Sequence, residues 1–524
     1  MKIAIHNIVV SIKKNQDLEI QKELQKAGIQ KENIKGLSYL KRSIDSRKKQ
    51  DIKFVYSIEI ELKKEISSSS NAKWQEVKEI IPPKRFPLYP KREIYVVGSG
   101  PAGLFAAYRL AEYGYLPIVL ERGESIEERD KTTKNFIKTS ILNPNSNIQF
   151  GEGGAGTYSD GKLNTRVKSE YIENVFQLLV KFGAPEEILW NYKPHVGTDI
   201  LKIVVKNLRE AIIKMGGKFY FNTLLEDIKI QNGELQGFYI QKNGMKEYIA
   251  ENQLVLAIGH SSRDTYRMLR KHGVAMEAKA FAMGTRMEHP RYEIDKMQYG
   301  KEVKNSLLEA ATYAVTYNNQ AEKRGTFSFC MCPGGVIVNA ASQVGGTLVN
   351  GMSYSTRDGR FSNSAIVVGI KEHEFGEDIF SGMYFQEKLE KKAYDMIGSY
   401  GALYQNVWDF LSHKKTKHEI ETSYQMKKTS CQMEELFPEV ITENLRSALS
   451  YWKRNEEFIS KNVNLIAPET RTSAPIKILR DVKGESLNVR GLYPIGEGAG
   501  YAGGITSAAV DGMKIVDCAF TRVL

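Results

Sequence analysis

One stretch of this chain leaves little freedom of fold. Residues 94–123 read IYVVGSGPAGLFAAYRLAEYGYLPIVLERG. A short apolar run is followed by a glycine turn, a segment of helical periodicity and a second apolar run. The link between the two apolar runs suits only a parallel βαβ unit. Gly98, Gly100 and Gly103 keep the G-x-G-x-x-G spacing across the strand-to-helix turn, with Pro101 and Ala102 inside it. Gly98 allows the tight turn, Gly100 lets backbone amides approach a pyrophosphate, and Gly103 lets the helix pack close to the strand. The helix N-terminus then faces the phosphate charge. Glu121 ends the second strand, followed by Arg122 and Gly123. A carboxylate there accepts ribose hydroxyls and repels a 2′-phosphate. The fingerprint implies an adenine dinucleotide and does not separate a nicotinamide from a flavin.

The decision lies near the carboxyl end, in GLYPIGEGAGYAGGITSAAVDG. A strand ends at Gly496 and Glu497, a glycine-rich turn runs through Gly503 and Gly504, and a helix starts around Ile505 and Thr506. With these residues the chain resembles the flavoproteins of the two-dinucleotide-binding-domain type. There a strand ending in Gly-Asp binds the ribityl chain and the next helix points at the flavin. Glu497 stands where that family usually has Asp, so its carboxylate must sit farther back. A helix N-terminus aimed at the flavin's pyrimidine edge stabilises the negative charge that reduction develops there. By the same resemblance LVLAIG, ending at Gly259, matches a further flavoprotein strand, and Leu225 stands where an apolar residue meets adenine.

A closer resemblance covers nearly the whole chain. FGEGGAGTYSDGKLNTR, PHVGTD, LAIGHSSRDT, FSFCMCPGG and IGEGAGYAGGITSAAVDG are similar to the bacterial FAD-dependent dehydrogenase family, which is largely uncharacterised. The resemblance implies non-covalent FAD, a small ferredoxin-like N-terminal domain, a Rossmann-like FAD domain and an inserted substrate domain. It does not supply a substrate. The first motif interleaves glycines with polar anchors, a composition suited to close backbone approach, so Gly153, Gly154 and Thr157 are expected to line the flavin.

The expected fold class is α/β with α+β parts, built on a doubly wound sheet. Residues 1–66 form a small basic α+β domain and 67–92 a linker containing Ser67–Ser70 and Pro82. The FAD domain takes 93–280 and returns in 481–524, with a mixed substrate domain over 281–480 between them. The strands GKFYF, LEDIKI, LQGFYI and KEYIA read as one meander, two of its turns being Asn-Gly pairs at 232–233 and 243–244. Residues 1–92 carry 21 Lys and Arg against 11 Asp and Glu, most of the chain's net +12. That imbalance reads as a solvated face. RNA recognition by the basic domain is the alternative, and a non-catalytic FAD-bound scaffold or sensor is another. No apolar stretch approaches the roughly 20 residues of a membrane helix. Four cysteines, too few for a disulfide framework and too scattered for zinc, suit a cytoplasmic protein without a metal.

Cys330 and Cys332 of FSFCMCPGG lie two apart, so an extended strand puts both on one face. A bridge between them closes a very small strained ring. A structural role for the pair is expected. Arg286, Glu288, His289, His260, Arg263, Arg357 and Arg360 are polar groups able to orient an anionic substrate, each with a buried ion pair as the competing reading. No second G-x-G-x-x-G stands between strand and helix. NAD(P)H, as a transient donor, would bind without that fingerprint. The expected activity is that of an FAD-dependent oxidoreductase acting on an unidentified small molecule, with no catalytic residue assigned and oligomeric state open.

Overall fold

The computed structural model describes residues 1–66, 73–77 and 83–523. The Ser67–Ser70 run and Pro82 of the expected linker lie outside them. Five parallel strands form the central sheet, in the order Leu492–Pro494, Leu254–Leu256, Glu93–Val97, Leu116–Leu120, Lys218–Tyr220. Ile94, Val96, Val119, Leu254 and Leu256 are buried, as strands covered on both faces require. Helix Pro101–Glu112 packs beside helix Ile505–Phe520, both rich in alanine and glycine where they meet. Gly512 allows the approach: a Cβ there would lie 2.3 Å from the Ala102 carbonyl.

The GKFYF run departs from the sequence reading. Lys218–Tyr220 pairs parallel to Leu116–Leu120 at the edge of the central sheet, and only the next three strands, Thr223–Gln231, Glu234–Lys242 and Met245–Ile249, form the meander. Their Asn-Gly turns take positive φ at both residues, 53° and 73° at 232–233 and 51° and 77° at 243–244, the backbone of two-residue hairpins.

A second sheet has seven strands, Thr316–Asn319, Arg324–Cys332, Phe361–Ile370, Phe281–Pro290, Asn464–Glu469, Gly401–Asn406 and Lys427–Ser430 in spatial order. Strand alternation gives it two different faces. Met283, Met287, Ile366 and Val368 pack with Leu389, Leu445 and Leu449 of helices Ser381–Ile397 and Glu439–Trp452. The intervening residues, Ala282, Arg286 and Glu288 on one strand and Asn363, Ala365 and Val367 on its neighbour, occupy the opposite face.

The amino-terminal sheet has the order Ile34–Asp45, Lys53–Leu62, Lys2–Ser11, Gln75–Glu76, the strand order of a ferredoxin-like unit. Helix Gln16–Lys26 covers it through Ile20 and Leu24, and its first turn is capped by Asn15, whose side chain accepts from the Leu18 amide at 3.0 Å. The core of this unit is continuous with that of the seven-stranded sheet. The strand Ile34–Asp45 carries part of the basic domain's charge. It is an edge strand without apolar alternation, and part of its charge docks on the body. Arg42 donates to Glu309 at 2.9 Å and lies 4.7 Å from the Trp190 ring, while Tyr39 packs against Trp190 at 5.3 Å. Among the described residues no helix is long and apolar enough to cross a membrane.

Candidate functional site

A cleft of about 310 Å³ opens where the carboxyl ends of the parallel strands face the charged side of the seven-stranded sheet, the place where open α/β sheets bind ligands. Its floor is the glycine turn. Gly98 has φ 98°, and a Cβ on it would lie 2.3 Å from the Ala257 carbonyl. Gly103 does not line the cleft; a Cβ there would sit 1.9 Å from the Gly98 carbonyl. Gly100 differs from both. Its φ is −71°, and among the described residues only Gly154 Cα, at 3.8 Å, comes near its missing Cβ. It therefore leaves an open groove above the helix N-terminus. Neither Gly100 nor Gly504, the two N-caps on this cleft, supplies a side-chain cap to its helix, so amides of two long helices remain available to a ligand.

Glu121 is only 5% exposed, and its carboxylate joins three segments. One oxygen accepts from the Ser99 amide at 2.9 Å and the Ser99 hydroxyl at 2.7 Å, and the other from the amides of Gly123 at 2.9 Å and Gly151 at 3.1 Å. These four donors fill a carboxylate's capacity. A ribose hydroxyl would have to replace the Ser99 hydroxyl, the one donor free to rotate. Arg122 pairs with Asp264 at 2.9 Å and lies 4.2 Å from the Phe150 ring.

The glycine-rich segment after Phe150 is held from below by Arg129. This fully buried guanidinium donates to the carbonyls of Asn147, Ile148, Glu152 and Gly154 at 2.6–3.0 Å. Burial lowers its pKa, yet it has no carboxylate in ion-pair contact among the described residues, so its charge lies beneath the loop beside Gly100. Gly154 lines the cleft, whereas Gly153 and Thr157 face a small apolar space under helix Thr198–Lys214. A Cβ on Gly153 would clash with the Thr157 hydroxyl at 2.0 Å.

Leu225, Gly259, Glu497, Gly503, Gly504 and Ile505 also line the cleft. Gly123, Gly496 and Thr506 do not: a Cβ on Gly123 would meet Gly151 Cα at 2.6 Å, one on Gly496 would meet Ala102 at 2.6 Å, and the Thr506 hydroxyl donates to the Leu163 carbonyl at 2.8 Å. Among the described residues no neighbour stands within 4 Å of a Cβ on Gly503 or Gly504. The Glu497 carboxylate faces this space without a side-chain hydrogen-bond partner among the described residues. Burial pushes its pKa up to about 7, against the pull of Lys279.

The candidate substrate residues divide. Arg360 pairs with Glu421 at the exposed surface. His289 is buried, its Nε2 2.9 Å from the Phe458 carbonyl, and burial pushes its pKa down to about 4. Glu288 holds Ser423. Arg286, Arg263 and Arg357 are buried ion-pair members that border the cleft through partners. Arg286 donates to both oxygens of Glu469 at 2.7 Å. Arg263 and Arg471 share Glu390, at 2.7 and 2.6 Å. Burial would raise Glu390, but the two guanidinium groups override it and hold the carboxyl far below its ordinary value. Arg357 and Lys162 likewise share Asp160. Each of these last two clusters sets two cations around one carboxylate, a field suited to an anionic ligand. His260 also lines the cleft and is pushed down to about 3 by burial, with Arg471 and Arg263 adding to it.

Sequence reading missed Ser99, Arg129, Glu469 and Arg471, whose roles come from long-range packing. It also missed the position of Cys330. The ladder between Arg324–Cys332 and Phe361–Ile370 shifts after Phe329, so that Phe329 opposes Ala365 and Cys332 opposes Asn363. Cys330 occupies this bulge with φ 45°. Within the strand Arg324–Cys332 it is the one residue set off the extended conformation that the two-residue spacing had suggested. It lines the cleft while Cys332 is buried beneath it.

Comparison with known proteins identifies the family. The model of an "FAD-dependent protein, C-terminal domain-like" family matches residues 280–472, that of an NAD(P)-binding Rossmann-like domain matches 96–127, and a domain of unknown function, DUF8436, matches 2–61. An uncharacterized protein of Clostridium beijerinckii is 45% identical over 527 residues, covering 99% of this chain and 98% of that one. Among solved structures, a flavoprotein/dehydrogenase from Cytophaga hutchinsonii aligns with a TM-score of 0.37 and 12% identity over 82% of this chain and 78% of its own. The tetracycline destructase Tet(51) aligns at 0.32 and 13% over 82% and 80%. A halogenase, PltM, in complex with FAD aligns at 0.35 and 11% over 81% and 67%. A Rossmann-like dinucleotide domain joined to this carboxyl-terminal domain defines a flavoprotein. The chain belongs to the bacterial family of FAD-dependent proteins, largely uncharacterised, and FAD is its cofactor.

Proposed function

We propose that the chain is an FAD-dependent oxidoreductase that binds its cofactor in this cleft and passes electrons between a donor and a small-molecule substrate. NADH and NADPH are the donors to test first. One observation carries the reading: two uncapped helix N-termini and the unpartnered Glu497 carboxylate open onto a single space. FAD would supply hydride and electron transfer there. The Gly98–Gly103 turn and the start of helix Pro101–Glu112 would hold the pyrophosphate, with Arg129 adding positive charge below. Leu225 and Gly259 would meet the adenosine, and Glu497 would accept from the ribityl hydroxyls. Gly503, Gly504 and Ile505 would carry the flavin's pyrimidine edge, where the helix dipole favours negative charge. The facing wall, with Phe329 and Glu469 of the seven-stranded sheet and Asn350 of the hairpin Val336–Met352, would exclude water and hold the substrate.

Gly100→Val tests the assignment. Its backbone conformation suits any residue, and its side chain would enter the open groove, so the variant folds but loses FAD. Retention of a full complement of flavin by folded Gly100→Val contradicts the placement.

A further inference from the structure

The bulge at Cys330 changes which face of the seven-stranded sheet its strand presents. Before it, Phe327 and Phe329 pack with Ala365 and Val367 on the cleft side. After it, Met331 packs on the helix side with the main core, and Cys332 lies beside Arg286. Without the extra residue, alternation would turn Cys330 into the core. Its φ of 45° is a conformation that L side chains rarely adopt. The outcome is a half-buried thiol in the cleft, on the wall opposite the glycine turns.

The charged groups around it come from every packed element. Lys162 and Asp160 approach from the glycine-rich segment, Arg286 and Glu469 from neighbouring strands, and Glu497 from the opposite wall. Arg286 donates to the Cys330 carbonyl at 2.6 Å, and Cys332 Sγ donates to the same carbonyl at 3.3 Å. The two thiols are unequal. With the Cys332 side chain beside it and Lys162 and Arg286 nearby, Cys330 is held well below the ordinary thiol range, whereas Cys332 is raised well above it.

We propose that Cys330 is a catalytic residue, the proton acceptor on the substrate side of the cleft, with Cys332 as the positioning thiol beneath it. The inference rests on the oxidoreductase reading above. Its substrate would carry hydrogen on two adjacent atoms. One C–H bond breaks with its electron pair, and that hydride passes to oxidised FAD. The neighbouring X–H bond, where X is carbon, nitrogen or oxygen, gives its proton to Cys330 Sγ and its electrons to the new C=X bond. The substrate loses two electrons and two protons in all, and the S–H formed on Cys330 releases its proton to solvent.

The test is alkylation of the full-length protein by iodoacetamide from pH 4 to 9, read at Cys330 by peptide mass spectrometry. FAD-free and FAD-loaded samples are compared, with N-acetylcysteine as reference. Cys330 reactivity is expected to rise with a midpoint at least one pH unit below the ~8.5 of a free thiol, and FAD should slow it several-fold. The bound flavin's visible spectrum should shift with pH in the wild type and not in Cys330→Ser. A midpoint at or above that of the free thiol overturns the proposal. So does an alkylation rate unchanged by FAD whose binding is verified by absorbance. A chain that takes up no flavin overturns the functional reading instead, while the FAD-free alkylation profile still reports the thiolate. If Cys330→Ser fails to fold, the wild-type measurements decide.

Discussion

Replacing Glu497 with Gln should change how the FAD-free protein's stability depends on pH. A glutamate in the unfolded chain titrates near its ordinary 4.5, whereas burial in the cleft holds Glu497 at about 7. Below pH 4.5 the carboxyl is neutral in both states. Between the two values the folded state binds more protons than the unfolded one, so stability falls as pH rises, and above 7 the loss is complete. The interval is worth on the order of 3 kcal/mol, an upper figure because the side chain retains some contact with solvent. Gln carries no ionisation cost. Glu497→Gln should therefore match the wild type within about 1 kcal/mol at pH 4 and gain up to ~3 kcal/mol on it by pH 8. Urea denaturation of both proteins across this range measures the difference directly. Glu469 and Glu152 are also raised to about 7, so the wild-type curve alone does not isolate Glu497; the difference between the two proteins does. A difference that stays constant with pH, or grows toward acid, refutes the placement of an unpartnered carboxyl in the cleft.

Gly103→Val should damage the fold itself, because its Cβ would meet the Gly98 carbonyl at 1.9 Å; an overpacking cost of at least ~1–3 kcal/mol would appear as a lower melting temperature, in contrast with Gly100→Val. Glu390→Gln leaves Arg263 and Arg471 buried around a neutral group and should cost about 3–5 kcal/mol by chemical denaturation. Cys330→Gly relieves the φ of 45°, so its stability should match or exceed the wild type's by up to about 1 kcal/mol, while alkylation at this position disappears. A drop of several kcal/mol there would show that the thiol is a packing residue.

The fold was most legible where local chemistry dictates backbone. The glycine turn at 98–103 and the Asn-Gly pairs at 232–233 and 243–244 each need conformations that few other residues adopt. The continuous apolar run at 254–259 likewise marks a strand buried on both faces. The strand Ile34–Asp45 was not legible, because register shifts after Ile34 and after Tyr39 interrupt the alternation of its side chains. Lys218–Tyr220 was assigned to the wrong sheet, since three residues do not encode their partner.

In the site, Gly98, Gly100, Gly154, Gly259, Gly503, Gly504 and Glu497 were legible as a linear pattern, whereas Gly103, Gly123, Gly153 and Gly496 of the same pattern pack away from the cleft. Glu121 was read as a ribose acceptor; that its carboxylate also ties together Ser99, Gly123 and Gly151 was not legible, because these donors come from segments up to 30 residues away. Arg129 and the Arg263–Glu390–Arg471 cluster depend on contacts separated by as many as 127 residues. The place of Cys330 depends on a bulge in the strand ladder that its own spacing does not reveal.

The account's central claim is that FAD occupies this cleft as a redox cofactor. The most direct measurement is the visible spectrum of the purified protein before and after anaerobic NADH, NADPH and then dithionite, with the flavin released by denaturation and identified. The account predicts one FAD per chain whose bands bleach on reduction and return with an acceptor. A colourless protein that takes up no added FAD, or a bound flavin that resists dithionite, would contradict it.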